Sequence, residues 1–90
     1  MTVQPTSADF ALALDELALG RSGRIATVDW ALLGVSEAAR LRHFGFDCDV
    51  TVEPLHAGPL GRDPLAVRVG RMTVAIRRAH ARAIRVIPAA

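Results

Sequence analysis

The sequence predicts a mainly β domain: a small, highly twisted antiparallel barrel of about five strands with one short helix. Three observations carry that expectation. At 90 residues the chain is close to the smallest that folds on one apolar core, so a single domain is expected. Its residues are 51% hydrophobic and 22% charged, the balance of a packed domain and too apolar for a disordered one. Short β-branched runs are separated by Gly and Pro, and so few strands avoid open edges only by curling toward closure.

The elements follow in chain order. Met1 to Asp9 is polar or small without a period and reads as a flexible N-terminus, leaving residues 10–90 as the domain. Phe10, Leu14 and Leu17 recur at helical spacing, so Phe10 to Leu19 is a short helix or an extended arm on the body, ended by Gly20. After a turn bracketed by Gly20 and Gly23, Arg24 to Trp30 has the β-branched content of a first strand. Ser36 to Phe44 is the clearest helix. Ser36 serves as its N-cap, Glu37 meets the positive end of the dipole and Gly45 takes the left-handed position after the last turn. Ala38, Leu41 and Phe44 share the face that meets the body.

Asp49 to Glu53 alternates as a half-buried strand, and Pro54 implies an edge or a bulge. Ala57 to Pro64, with two Gly and two Pro, reads as a loop. The strongest local signal comes next. Leu65, Val67 and Val69 alternate up to Gly70-Arg71, and Met72, Val74 and Ile76 alternate away from it. A two-residue type II′ turn sets Val69 opposite Met72, Val67 opposite Val74 and Leu65 opposite Ile76 on one buried face, with Arg68 and Thr73 outside. Arg77 to Ala83 is a single Ala-rich helical or 3-10 turn, and Ile84 to Ile87 is a last strand ended by Pro88. Such an arrangement is an SH3-like barrel.

Composition excludes several function classes. Sixteen alanines and only four aromatic residues leave the core to Val, Leu and Ile, with Trp30, Phe44 and Phe46 as its large pieces, so an aromatic-lined pocket is not expected. All eleven basic residues are Arg, and the net charge of +2 is mild. One cysteine, Cys48, forbids an internal disulfide, and the first twenty residues hold no Arg or Lys for a secretory signal, which reads as cytoplasmic. No apolar run approaches the roughly 18 residues of a membrane span.

No nucleophile elbow, phosphate-binding loop or zinc-protease motif is present, and Asp47 and Asp49 read as turn residues, so no catalytic residue and no enzyme activity is expected. His43, Cys48, His56 and His80 are the candidate metal ligands, yet none has ligand-pair spacing. Cys48 reads instead as a small buried hydrophobe and the histidines as surface residues, so no metal or cofactor is assigned. Arg77, Arg78, Arg82 and Arg85 cluster around His80 without stacking aromatics, so the cluster reads as the solvated outer face of a last strand and turn before it reads as a nucleic-acid site, and it could equally meet an acidic protein partner. Leu60, exposed between glycines beside Arg62, is a candidate anchor. Leu60, Arg62, Arg77, Arg78 and Arg82 are therefore the expected partner contacts. The apolar stretch Trp30 to Val35 and Pro54 at a sheet edge also suggest a homodimer.

The succession Leu19-Gly20, Gly23-Arg-Ile25, Arg40-Leu41, Phe44-Gly45-Phe46, Val50-Thr-Val52, Asp63-Pro-Leu-Ala-Val67, Val74-Ala-Ile-Arg-Arg78, Ala81 and Ile84-Arg-Val86 resembles the ferrous iron transport protein A (FeoA) family over about residues 17–87. The resemblance implies an SH3-like fold and a cytosolic accessory protein of bacterial Fe(II) uptake, without catalysis. It implies a partner, the cytoplasmic GTP-binding domain of the FeoB-type permease, with the membrane reached only through that partner. The alternatives are a metal-binding carrier, or a free-standing regulatory domain like the C-terminal domain of diphtheria-toxin-repressor-type regulators; a nucleic-acid-binding barrel ranks behind both. Asp47-Cys48 stands where the family commonly has Pro-Gly, which would place Cys48 at positive φ. Asp29 to Val35 is longer than usual, placing Trp30, Leu32 and Leu33 in a loop.

Overall fold

The computed structural model describes residues 11–89; Phe10 and the expected flexible segment 1–9 lie outside them. Six strands form one antiparallel sheet in the order β1-β6-β2-β3-β4-β5: β1 Leu12–Ala13, β2 Gly23–Val28, β3 Thr51–Leu60, β4 Asp63–Val69, β5 Met72–Ile76 and β6 Ile84–Pro88. Helix α1 spans Val35–His43 and α2 spans Arg78–Ala81. The inward side chains Ile25, Val52, Leu65, Val67, Val74, Ile76, Ile84 and Val86 belong to one buried cluster with Leu14, Leu41 and Phe46. Strands of a single sheet share one core only if the sheet curls on itself, and the result is the expected SH3-like barrel. The strand beyond the expected five is β1, so short that no alternation could announce it.

The N-terminal arm is extended at β1 and then makes a 3-10 turn over Leu14–Glu16, with Leu14 and Leu17 buried. The central hairpin has the register that the alternation predicts, from Leu65 opposite Ile76 to Val69 opposite Met72. Met72 departs from the expected buried face: it is 46% exposed, because the hairpin end carries it past the core. Helix α1 begins two residues early. Gly34, not Ser36, is the N-cap, its carbonyl accepting from Ala38 N at 2.8 Å. Leu41 is fully buried, and Gly45 ends the helix at φ +93°.

Ala57 to Pro64 is not the loop that its Gly and Pro content suggests. Strand β3 runs through it to Leu60, which pairs with Asp63. The reversal takes only Gly61 and Arg62, at φ +65° and +63°, two positive values that define a tight type I′ turn. Register shifts between Pro54 and His56 and between Ala57 and Leu60 absorb the prolines as bulges. The Asp47-Cys48 turn also differs from expectation. Asp49, at φ +71°, takes the left-handed conformation in place of Cys48. Aspartate tolerates that region, and Asp49 Oδ1 accepts from Arg24 Nη1 at 2.8 Å.

Gly58 is not at positive φ, yet a Cβ there would run into the carbonyl of Asp63 across the ladder, whereas a Cβ at Gly61 would meet open space but strain a positive φ. Gly58→Ala is therefore expected to cost more than about 2 kcal/mol and Gly61→Ala about 1 kcal/mol. Urea unfolding of the two variants checks the order.

Candidate functional site

The β3–β4 turn, helix α2 and the N-terminal arm meet at one end of the barrel, and Arg78 joins them. Its backbone N–H donates to Asp63 Oδ1 at 3.1 Å, its Nη1 donates to the Gly61 carbonyl at 2.9 Å, and its Nε lies 3.5 Å from Asp15 Oδ2. The turn tip is thereby held against the start of α2, bringing Leu60 and Arg62 to the same end as Arg77, Arg78 and Arg82. Leu60 is 82% exposed, and Arg62 is exposed at the turn. Arg77 is the N-cap residue of α2 and also exposed.

Asp15 is the acid of this cluster. Its side chain is only 6% exposed, and its Oδ2 lies 3.5 Å from the Nε atoms of both Arg78 and Arg82. Its Oδ1 is buried without a hydrogen-bond partner. One carboxylate oxygen thus faces two guanidinium groups at long range and fixes where their remaining N–H groups point. A shallow cleft of about 380 Å³ opens beside it between Ala13, Glu16, Arg78, Arg82 and Arg85. Such a surface can offer paired N–H donors to carboxylates, the geometry at which guanidinium excels. No local pattern in the sequence marks Asp15, which stands more than sixty positions from its partners.

A second cleft of about 370 Å³ lies between α1, the end of β5 and α2, lined by Glu37, Arg40, Pro64, Ala75, Arg77 and His80. Glu37 accepts from Arg40 at 2.9 Å and lies 3.3 Å from His80 Nδ1, which is not aligned for a hydrogen bond. Among the described residues no three His, Cys, Asp or Glu side chains converge to hold a metal ion. Cys48 is exposed, not the buried hydrophobe its type suggests; it sits in the solvent-facing turn after α1. Trp30 packs on the core under the Arg42 guanidinium, 4.2 Å from its ring centroid, and Leu33 is buried, but Leu32 and Val35 stay largely exposed.

Asp15 and Arg78 are expected to be coupled. In a double-mutant cycle with Asp15→Asn and Arg78→Ala, the two losses of stability should fall short of additivity by about 0.5–1 kcal/mol, measured by urea unfolding.

Residues 12–88 match the FeoA domain family. A comparison with curated proteins finds no match. Among solved structures, the zinc complex of Stenotrophomonas maltophilia FeoA, described as a prokaryotic SH3 domain protein and a candidate ferrous iron transport activating factor, is 34% identical over 84% of this chain and 89% of its own, with a TM-score of 0.72. Iron(II) transport protein A from Clostridium thermocellum is 23% identical over 86% of this chain, TM-score 0.75, and a manganese-dependent transcriptional repressor is 20% identical over 88%, TM-score 0.75. These last two share the fold, and the chain spans 45% and 42% of their lengths. With the match running from β1 to the end of β6, the chain belongs to the FeoA domain family and is related to ferrous iron transport.

Proposed function

We propose that this chain is a cytoplasmic accessory protein of bacterial ferrous iron uptake, docking on the GTP-binding domain of an FeoB-type permease and modulating transport without chemistry of its own. The observation that carries this reading is the surface where Leu60 and Arg62 stand beside Arg77, Arg78 and Arg82, on a chain whose family is tied to iron transport. An exposed leucine at a turn that Arg78 holds against α2 can serve as an apolar anchor near charged groups, from which an acidic partner would gain both encounter rate and register. Nucleic acid fits less well. The rings of Trp30 and Phe44 lie under the guanidinium groups of Arg42 and Arg40, the latter at 5.2 Å, and line neither cleft where bases could stack. No helix among the described residues is long and apolar enough to cross a membrane.

Titration of the permease's soluble GTP-binding domain, with and without nucleotide, tests the reading. Wild type should bind, and Leu60→Ala and Arg82→Glu should each weaken binding about tenfold or more, the loss expected of a contact near the centre of an interface. Arg78→Glu is the poorer probe, since Arg78 also holds the turn to α2. Absence of binding to the domain and to the intact permease, with Fe(II) uptake unchanged on deleting the gene, would overturn the proposal.

A further inference from the structure

Strand β5 is the last strand in the sheet order, so its outer side meets no strand among the described residues. The register fixes which groups face outward. The Gly70-Arg71 turn closes at Val69 and Met72, so that pair exchanges both ladder hydrogen bonds, and alternation turns the backbone groups of Thr73 and Ala75 away from β4. Arg40 provides independent evidence of this. Reaching from α1, its Nη2 donates to the Ala75 carbonyl at 3.0 Å, which requires that carbonyl to point outward. The Thr73 N–H and C=O and the Ala75 N–H complete the open row, and both residues are exposed.

Charge is arranged along this row. Arg71 stands exposed at its start, Arg40 beside Ala75 and Arg77 just past its end. Beyond Ala75 the row continues into the cleft between Arg40, Pro64, Arg77 and His80. The acid in that cleft, Glu37, is 20% exposed and already bonded to Arg40. A second copy of this chain added edge to edge would bring these arginines against their own counterparts, whereas an acidic strand would neutralise them.

We propose that the outer edge of β5 accepts an extended acidic segment of a partner protein as an added antiparallel or parallel strand. Main-chain hydrogen bonds to Thr73 and Ala75 supply the pairing, and Arg71, Arg40 and Arg77 select for acidic side chains. A ligand N–H replaces Arg40 on the Ala75 carbonyl, releasing that guanidinium to pair with a ligand carboxylate. This inference rests on the reading of the chain as a docking module, but not on the permease being the partner.

The test uses the full chain with two ligands: the permease's GTP-binding domain, and a synthetic peptide of alternating glutamate and valine with its lysine-valine counterpart as control. Amide hydrogen exchange is followed residue by residue. Protection of the Thr73 and Ala75 amides on binding the acidic peptide but not the basic one is the expected result. Thr73→Pro, which removes an outward N–H and no ladder bond, should weaken binding at least tenfold, as should Arg71→Glu, a surface change that leaves the backbone intact. If the domain binds without protecting these amides and the acidic peptide does not bind, the edge proposal is wrong and the permease reading stands. Peptide binding with protection while the domain fails to bind upholds the edge and removes the permease. Failure of both ligands, or equal binding of both peptides, overturns the edge proposal.

Discussion

Among the described residues Phe46 is the one aromatic ring with no exposure at all, and around it the core is assembled from Leu, Ile and Val side chains of every strand except β1, together with α1 and the N-terminal arm. So small a core is sealed only if one sheet wraps it. That requirement sets the bulges in β3, the shift in the β2–β6 ladder between Ile25 and Thr27, and the tight reversals at Gly61-Arg62 and Gly70, because a flat six-stranded sheet would leave one end of the cluster in water. Helix α1 closes the remaining side through Ala38 and Leu41. The candidate surface is a by-product of this wrapping. The curl turns the β3–β4 tip back toward α2, where Arg78 holds the Gly61 carbonyl.

A chain without lysine holds its irregular segments with guanidinium groups. Arg21 donates to the Ala89 carbonyl at 3.0 Å, Arg40 to the Ala75 carbonyl and Arg78 to the Gly61 carbonyl. Arg40 and Arg78 also reach a carboxylate with another edge of the same group. An ammonium offers one point of charge and could not span a carbonyl and a carboxylate several ångströms apart, so the planar fork serves as a clasp between chain segments. Each bond is solvent-exposed and individually weak. Their effect is geometric, orienting the surface more than stabilising the fold.

The parts of the fold written in local pattern were legible in the sequence. The β4–β5 hairpin, its register and its turn follow from alternation on either side of Gly70-Arg71, and the α1 stop follows from Gly45. What misled was composition read without geometry. Gly58, Pro59, Gly61 and Pro64 mark loops in most chains, but here the glycine at 58 is needed for close approach across the ladder and the prolines sit where the register slips. Cys48 and Met72 have apolar side chains yet lie outside, because a turn and a hairpin end carry them past the core. At the candidate site, the exposed residues could be named from the sequence, while Asp15 and Asp63, which contact Arg78 and Arg82 from other elements, could not. Their partners are set by the curl of the sheet and not by spacing along the chain.

Helix α2 has only four residues, far too few to persist by its own hydrogen bonds. Its first free N–H groups have no capping side chain of their own, and one of them, at Arg78, is satisfied by Asp63 from the neighbouring strand. The helix and the hairpin tip are therefore one unit of local unfolding: neither opens without exposing the other. A partner that gripped Leu60 at the tip would therefore also restrict the arginines on α2, and the ordering entropy lost at the first contact would lower the cost of the second.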